Sequence, residues 1–96
     1  MKEKIQHLLT IISLLLSDND EEKWATTFEQ LSKKLDLDYD TALIDIKHTF
    51  GGAGSFNDLV LQHKGQMLTV ENNELNSLQD QLYDAVTAEI MSRRNH

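Results

Sequence analysis

Carboxylates are the side chains whose number and spacing in this chain could do chemistry. Sixteen Asp and Glu residues stand against nine Lys and Arg residues, and the net charge is −7. A pair of carboxylates catalyses proton transfer when an apolar environment raises the pKa of one of them. The carboxylates here are not paired on apolar helix faces, so the pattern predicts no catalytic acid or base.

The alternation of Asp36, Asp38 and Asp40 resembles the opening of a calcium-binding loop. Such a loop requires glycine at its sixth position and a bidentate glutamate at its twelfth. Counted from Asp36, these two positions hold Thr41 and Lys47. The segment is therefore predicted to be a linker without a metal ion, in which Asp38 or Asp40 caps the helix that follows.

A glycine-rich segment holds the other residues that suggest chemistry. Gly51, Gly52 and Gly54 precede Ser55, but the segment lacks the Gly-x-Ser-x-Gly turn of a hydrolase and the Lys-Ser/Thr pair of a phosphate-binding loop. The chain has no cysteine, and its four histidines are scattered without the spacing of metal ligands. We therefore expect no catalytic residue, no cofactor, no metal ion and no enzymatic activity.

The same segment is suited to shaping the backbone. Glycines that follow an amphipathic helix tolerate the left-handed conformation that ends it, so at least one of them is expected at positive φ. Ser55 and Asp58 have the spacing of a capping box, which predicts one helical turn after the glycines. Ligand binding by the segment is the alternative interpretation. The residues of this motif are Gly51, Gly52, Gly54, Ser55, Asn57 and Asp58.

Negative charge is concentrated in the middle of the chain, where residues 18–89 hold fifteen acidic and five basic residues. Such a surface repels phosphate groups, so nucleic acid and anionic membranes are disfavoured as partners. A basic protein is favoured, because complementary charge accelerates encounter. The alternative is that the acidity only maintains solubility. The residues predicted to contact a basic partner are Asp18, Asp20, Glu21, Asp36, Asp38 and Asp40.

Apolar residues recur at helical spacing in four segments that would position these groups. The first helix is predicted over about residues 3–17 and the second over about residues 20–35. The third helix is predicted to end at Phe50. The fourth is predicted to open at the cap residues of Glu71-Asn72-Asn73, with Gln79 facing water.

Residues 59–70 connect the third and fourth helices. Two apolar runs flank a short connection that contains Gly65, and this arrangement favours a β-hairpin over the alternative of a short helix. The predicted fold is mainly α (α+β), a compact four-helix domain with a short β-hairpin between helices three and four. The absence of an internal repeat or a low-complexity linker predicts a single domain over residues 1–96.

Helix one has an unusually wide apolar face, which predicts either central burial or a homodimer contact. Its apolar run over residues 8–16 is too short to span a bilayer, which needs about 20 residues. The flanking residues also match a secretory signal poorly. A cytoplasmic protein without a membrane segment is therefore expected.

The segment Phe50-Gly51-Gly52-Ala53-Gly54-Ser55-Phe56-Asn57-Asp58-Leu59, followed by Glu71-Asn72-Asn73-Glu74-Leu75, resembles a known pattern. It is similar to a family of small, acidic, mostly bacterial proteins of unknown function, with the motif Phe/Tyr-Gly-Gly-x-Gly-Ser-x-Asn-Asp-Leu. The resemblance covers roughly residues 24–90 and implies no transferable active site. Small acidic proteins of this general kind often look like immunity or antitoxin partners of secreted toxins, an analogy from size and charge.

Two functions from different classes follow as hypotheses. The first is a binding protein, such as an immunity or antitoxin protein, that blocks a basic toxin through its acidic surface. The alternative is a small structural or regulatory homodimer with no toxin partner, which associates through helix one.

Overall fold

The computed structural model describes residues 1–51 and 54–94 and places four α-helices and one two-stranded antiparallel hairpin in these ranges. The predicted fold class is therefore confirmed. In chain order the elements are α1 (Lys2–Asp18), α2 (Glu22–Leu37), α3 (Tyr39–His48), a 3₁₀ turn (Phe56–Asp58), β1 (Gln62–His63), β2 (Gln66–Met67) and α4 (Thr69–Arg94).

The four helices pack in a ring, in which α1 contacts α2 and α4, and α3 contacts the same two helices. The resulting bundle is elongated, with extents of 49 × 21 × 21 Å. α3 has 10 residues against 26 in α4, so it covers only part of its neighbour's length. The 3₁₀ turn and the segment before the hairpin also bond to α4, further toward its N-terminus.

The helices form because their apolar stripes meet in one shared core. Each large aliphatic or aromatic side chain that is removed from water there contributes roughly 1.5–3 kcal/mol. The largest fully enclosed side chains are Phe28, Phe56, Ile5, Leu9, Ile12, Leu16, Leu35, Leu43, Ile46, Leu61, Leu75 and Leu82.

An aromatic cluster ties the glycine-rich segment to the bundle. The ring of Phe56 lies 4.4 Å from that of Phe28 and 5.5 Å from those of Trp24 and Phe50, measured between centroids. Such tilted and edge-on pairs add about 0.5–1.5 kcal/mol each to the burial of apolar area. Phe56 therefore anchors the connection after α3 in the core.

The start of α4 differs from the prediction. The helix begins at Thr69, because the backbone carbonyl of Leu68 accepts the N–H of Asn72 at 2.9 Å and so opens the helix earlier. Asn72 is consequently a buried residue in the first turn of α4 and does not act as the N-cap. Gln79 was predicted to face water, but only 5% of it is exposed, because the 3₁₀ turn packs over it.

The connection at residues 59–70 is a hairpin, as predicted, although its strands are only two residues long. Gln62 pairs with Met67, and His63 pairs with Gln66. Lys64 and Gly65 both have positive φ, at 52° and 79°. Two consecutive residues with positive φ form a type I′ turn, whose twist matches that of the flanking strands in a tight hairpin. This requirement explains why glycine occupies position 65.

The wide apolar face of α1 is buried within this chain. Ile5, Leu9 and Ile12 are fully enclosed, whereas Leu14 is 59% exposed. Central burial is confirmed, and a homodimer through this helix stays a prediction. Within residues 1–51 and 54–94, no helix combines the length and the apolar character that crossing a membrane requires.

Candidate functional site

Asp36, Asp38 and Asp40, called the acidic linker, join α2 to α3 next to both ends of the described chain. Lys2 at the start of α1 contacts Asp36 with 2.7 Å between Nζ and Oδ1. Arg93 in the last turn of α4 donates from Nε to Asp40. Two of the three linker carboxylates are therefore paired with cations from distant parts of the sequence.

These contacts hold the linker carboxylates in their charged form. The Lys2 ammonium, with a smaller contribution from Gln6, lowers the pKa of Asp36. The Arg93 guanidinium lowers the pKa of Asp40, and Asp40 in turn raises the pKa of Arg93. All of these groups are solvent-exposed, so the pairs contribute little to stability.

Asp38 has a structural role at the N-terminus of α3. Its Oδ1 accepts the backbone N–H of Thr41 at 3.3 Å, and this bond satisfies one of the free donors of the first turn. The prediction that Asp38 or Asp40 caps this helix is therefore confirmed for Asp38.

Tyr39 joins the linker to α4. Its hydroxyl donates to the carboxylate of Glu89, and the guanidinium of Arg93 lies 4.9 Å from the ring centroid. Partial burial, followed by the hydrogen bond to Glu89, raises the pKa of Tyr39 well above its usual value. These contacts hold the start of α3 against the end of α4.

Asp18, Asp20 and Glu21, called the acidic turn, join α1 to α2. The N–H of Glu21 donates to Leu16 O at 2.9 Å, and the N–H of Asp20 donates to Ser17 O at 3.3 Å. This pattern is a Schellman motif, which places a left-handed residue just after the helix. Asp20 fills that position with φ of 65°, where glycine would be unstrained.

The charges of the acidic turn have no cationic partner in the described ranges, since none of the ion pairs there includes Asp18, Asp20 or Glu21. The last turn of α1 also contains no basic residue. Asp18 and Asp20 are exposed and Glu21 is half-buried. The acidic turn is therefore a negative surface that forms no ion pair in the described ranges.

The six predicted acidic residues do not form one surface. The acidic turn and the acidic linker lie at opposite ends of α2, whose 16 residues correspond to a length of about 24 Å. The structure keeps each triplet together and separates the two triplets. A single compact partner contact would use one of them.

The glycine-rich segment is shaped by its backbone, as predicted. Gly51 and Gly54 have φ of 96° and 77°, and a Cβ atom built at either position would meet no other atom within 4 Å. The left-handed conformation alone therefore accounts for glycine at both positions. Gly52, the third glycine of the motif, lies outside the described residues.

The polar residues of the motif close the segment on itself. Asn57 Oδ1 accepts the N–H of Gly51 at 3.0 Å and the hydroxyl of Ser55. Asp58 Oδ2 accepts the N–H of Gly54 at 3.2 Å, one residue earlier than the capping box predicted. The predicted turn is present as the 3₁₀ turn, and the carboxylate reaches back further because Gly54 is left-handed.

Two buried amides of α4 fix the whole connection, and the sequence pattern missed both. Gln79 Nε2 donates to Phe56 O at 2.8 Å. The side chain of Asn72 accepts the N–H of Leu61 at 2.8 Å and donates to its carbonyl at 2.9 Å. Both amides fall within or next to the apolar stripe of α4, and that position was the available signal for burial.

A groove of about 980 Å³ lies between α3 and α4. The glycine-rich segment closes one end of it with Gly51 and Asn57. Its apolar lining includes Ile44 and Tyr83, each 41% exposed, and the half-buried Phe50. Tyr83 and Phe50 contact each other edge-on with 5.3 Å between centroids.

The charged residues of this α3–α4 groove differ between its two helices. α3 contributes Lys47, whereas α4 contributes Asp80 and Asp84 in its middle and Arg94 at its C-terminal end. None of the ion pairs in the described chain joins these groups to one another. Sequence analysis did not select these residues, because the groove depends on how α3 lies against α4.

The acidic turn, the acidic linker and the α3–α4 groove offer charge and apolar contact for recognition. Among residues 1–51 and 54–94, no three histidine or carboxylate side chains lie close enough to hold a metal ion. The lowered pKa values of Asp36 and Asp40 arise from exposed ion pairs, and such pairs do not create the raised pKa of a general acid.

Comparison with known proteins identifies a family whose function is unknown. A family model described as Domain of unknown function (DUF6966) matches residues 17–69, which is more than half of the chain. The matched range includes the acidic turn, the acidic linker and the glycine-rich segment. No curated protein and no solved structure matches the chain.

Proposed function

The chain belongs to this family of unknown function, and we propose that it is a non-enzymatic binding protein that docks a basic protein on its acidic turn. The observation that carries the proposal is the contrast between the two acidic triplets. The acidic linker is paired and capping, whereas the acidic turn has no cation in the described ranges.

Local energetics support a role for these charges outside folding. A carboxylate in the last turn of a helix opposes the helix dipole, and Asp18 lies there, whereas Asp20 and Glu21 also adjoin the N-terminus of α2, where the dipole favours them. Asp20 also occupies a left-handed position at which glycine would be unstrained. Residues that break local rules without a compensating contact point to function.

A basic partner fits this surface for a physical reason. Negative charge that forms no ion pair attracts a positive patch over about one Debye length, roughly 8–10 Å. It therefore accelerates encounter, while apolar contacts made after encounter set the lifetime of the complex. We further propose a partner of the toxin kind, so that the protein acts as an immunity or antitoxin protein.

The alternative function is a small structural or regulatory homodimer in which the acidity only maintains solubility. The observation that bears on it is Leu14, a large apolar side chain exposed on α1, although single exposed apolar residues are also common on monomers. Sedimentation of the purified protein across a hundredfold range of concentration distinguishes a monomer from a stable dimer.

The test of the proposed function is affinity capture from the native host with two immobilised variants. Asp18→Asn/Asp20→Asn/Glu21→Gln removes the charge of the acidic turn, and Asp36→Asn/Asp38→Asn/Asp40→Asn removes the same charge from the acidic linker. We expect a basic protein that is retained by the wild type and the linker variant and is lost from the turn variant. Equal retention by all three proteins contradicts the proposal.

The toxin reading has its own test. The product of the neighbouring reading frame is expressed with and without this protein, and growth of the host is measured. Rescue of growth by the wild type, with weaker rescue by the turn variant at equal protein level, supports the proposal. A neighbouring product that has no effect on growth contradicts the toxin reading and leaves the capture result to decide the binding function.

A further inference from the structure

We propose that the α3–α4 groove binds one amphipathic helix of a partner protein, in which an apolar row runs between an acidic edge and a basic edge. The proposal concerns a different surface from the acidic turn and does not depend on it. It rests on the shape of the groove, its apolar residues and the opposite charges of Asp80 and Asp84 on α4 and of Lys47 on α3.

The shape of the groove suits a helix. Two packed helices leave a furrow between them, and a third helix lies in such a furrow with its axis 8–10 Å from each neighbour. A helix is about 10 Å across, so the groove volume of 980 Å³ corresponds to roughly two turns. α3 has 10 residues against 26 in α4, so it extends along only part of this side of α4.

The apolar residues of the groove are arranged for anchoring. Ile44 on α3 and Tyr83 on α4 are both partly exposed, and Phe50 lies beside Tyr83. Aromatic and aliphatic side chains that are partly exposed in a concave site form the usual centre of a helix-binding groove. A partner helix would cover them with residues spaced by three and four positions.

The charges decide what kind of helix fits. Asp80 and Asp84 lie one turn apart on α4, where two like charges disfavour each other, and neither forms an ion pair in the described ranges. Lys47 lies on the opposite wall near the end of α3, and Arg94 lies about 15 Å beyond Asp84 at the end of α4. Beside Asp80, Asp84 and Lys47, a helix with basic residues toward α4 and acidic residues toward α3 compensates both walls, whereas a helix of one sign compensates one wall and opposes the other.

The probe is a synthetic peptide of about 20 residues, long enough to form a helix in water. It has leucines at helical spacing, lysines along one edge of that row and glutamates along the other. A peptide with the two edges exchanged is not a suitable control, because it can bind in the reverse direction and make the same charge contacts. The controls are therefore two peptides of the same length with lysine on both edges or glutamate on both edges.

Binding is measured by titration of the isotope-labelled protein and observation of its backbone amide signals. We expect the two-edged peptide to bind at least tenfold more tightly than either control, with the largest signal shifts at Lys47, Asp80 and Tyr83. Similar affinity for all three peptides, or shifts that map to another surface, overturns the proposal. No binding at millimolar peptide also overturns it.

Two pairs of variants test the walls and the apolar residues. Asp80→Lys/Asp84→Lys should change the preference to the peptide with glutamate on both edges, while Glu74→Lys, also exposed on α4, should not. Ile44→Ser should weaken binding about tenfold. Leu37→Ser is the matched control, because Leu37 is an 86% exposed apolar residue outside the groove. Equal effects of a variant and its control contradict the proposal.

A final control separates the partner helix from a second copy of the chain and from the acidic turn. Signals of the groove residues that shift with protein concentration, without peptide, would show a homodimer in the groove and overturn the proposal. The variant Asp18→Asn/Asp20→Asn/Glu21→Gln should bind the two-edged peptide like the wild type. Failure of the proposed function and failure of the groove therefore appear in different measurements.

Discussion

The acidic turn and the acidic linker contain the same number of carboxylates and stand at the two ends of one helix, yet their surroundings differ. Lys2 and Arg93 neutralise the linker through contacts with Asp36 and Asp40. In the described ranges the turn has no such contact. The comparison shows that carboxylates of equal density in a sequence can be held in structural contacts in one place and be available for binding in another.

Helix polarity separates the two triplets only in part. Asp38 and Asp40 lie at the N-terminus of α3, where negative charge is favourable, and Asp38 also caps the helix. Asp18 and Asp36 lie in the last turns of α1 and α2, where negative charge is unfavourable, whereas Glu21 stands at the N-terminus of α2, where it is favourable. Ion pairing is therefore the larger difference between the acidic turn and the acidic linker.

The largest expected effect is on association with a basic partner. With the partner obtained by capture, Asp18→Asn/Asp20→Asn/Glu21→Gln should slow association about tenfold at low salt, since charge steering acts mainly on the association rate. Asp36→Asn/Asp38→Asn/Asp40→Asn should slow it less than twofold. Stopped-flow measurements at two salt concentrations check both, and equal slowing by the two variants would break the comparison.

The next effect is on the capping role that only the linker has. Asp38→Ala should lower the free energy of unfolding by about 1 kcal/mol, because the bond to the N–H of Thr41 is lost. Asp38→Asn is the control, since asparagine caps as well as aspartate, and it should change stability by much less. Urea denaturation measures both. A loss of equal size in the two variants would assign the effect to charge.

A smaller change of opposite sign is expected in the acidic turn. Asp20→Gly should raise the free energy of unfolding by about 0.5 kcal/mol, because glycine adopts positive φ without strain. Asp20→Asn removes the charge alone and tolerates the same backbone, so it isolates the electrostatic part. Destabilisation by Asp20→Gly in urea denaturation would show that the aspartate side chain stabilises the turn.

The smallest effect is the response of the linker to acid. Because the folded-state pKa values of Asp36 and Asp40 lie below their ordinary values, these groups contribute to the free energy of unfolding above pH of about 4. This contribution to stability is lost as the pH falls through the lower pKa values of the folded state. Lys2→Gln/Arg93→Gln should therefore show a weaker fall in melting temperature between pH 5 and pH 2 than the wild type. An identical fall would mean that the two pairs contribute nothing in solution.

Local sequence patterns were sufficient to predict the helices, the hairpin and the conformations of the turns. The stripes of α1 and α2 and the short connection at Gly65 predicted helices and a hairpin that the structure contains. The glycine-rich segment predicted positive φ, which Gly51 and Gly54 adopt. These features depend on residues close in the chain, and the physics of helix periodicity and backbone sterics acts at that range.

The buried amides and the groove were not predictable in the same way. In the sequence, Asn72 and Gln79 resemble polar surface residues. They are buried because the connection after α3 packs over them. Gln79 bonds to Phe56, which is 23 residues away, and no local pattern records that contact. The α3–α4 groove likewise depends on the position of one helix against another.

By itself, the sequence determined the helical class, the turn conformations and the net charge of −7, because these follow from composition and short-range spacing. Only the tertiary structure decided which carboxylates are neutralised. Arg93 reaches Asp40 across 53 positions, and the antiparallel course of α1 and α2 places one acidic triplet beside the terminal cations and the other far from them. Charge pairing acts over a few ångströms in space, so it depends on the packing of the helices and not on their order in the chain.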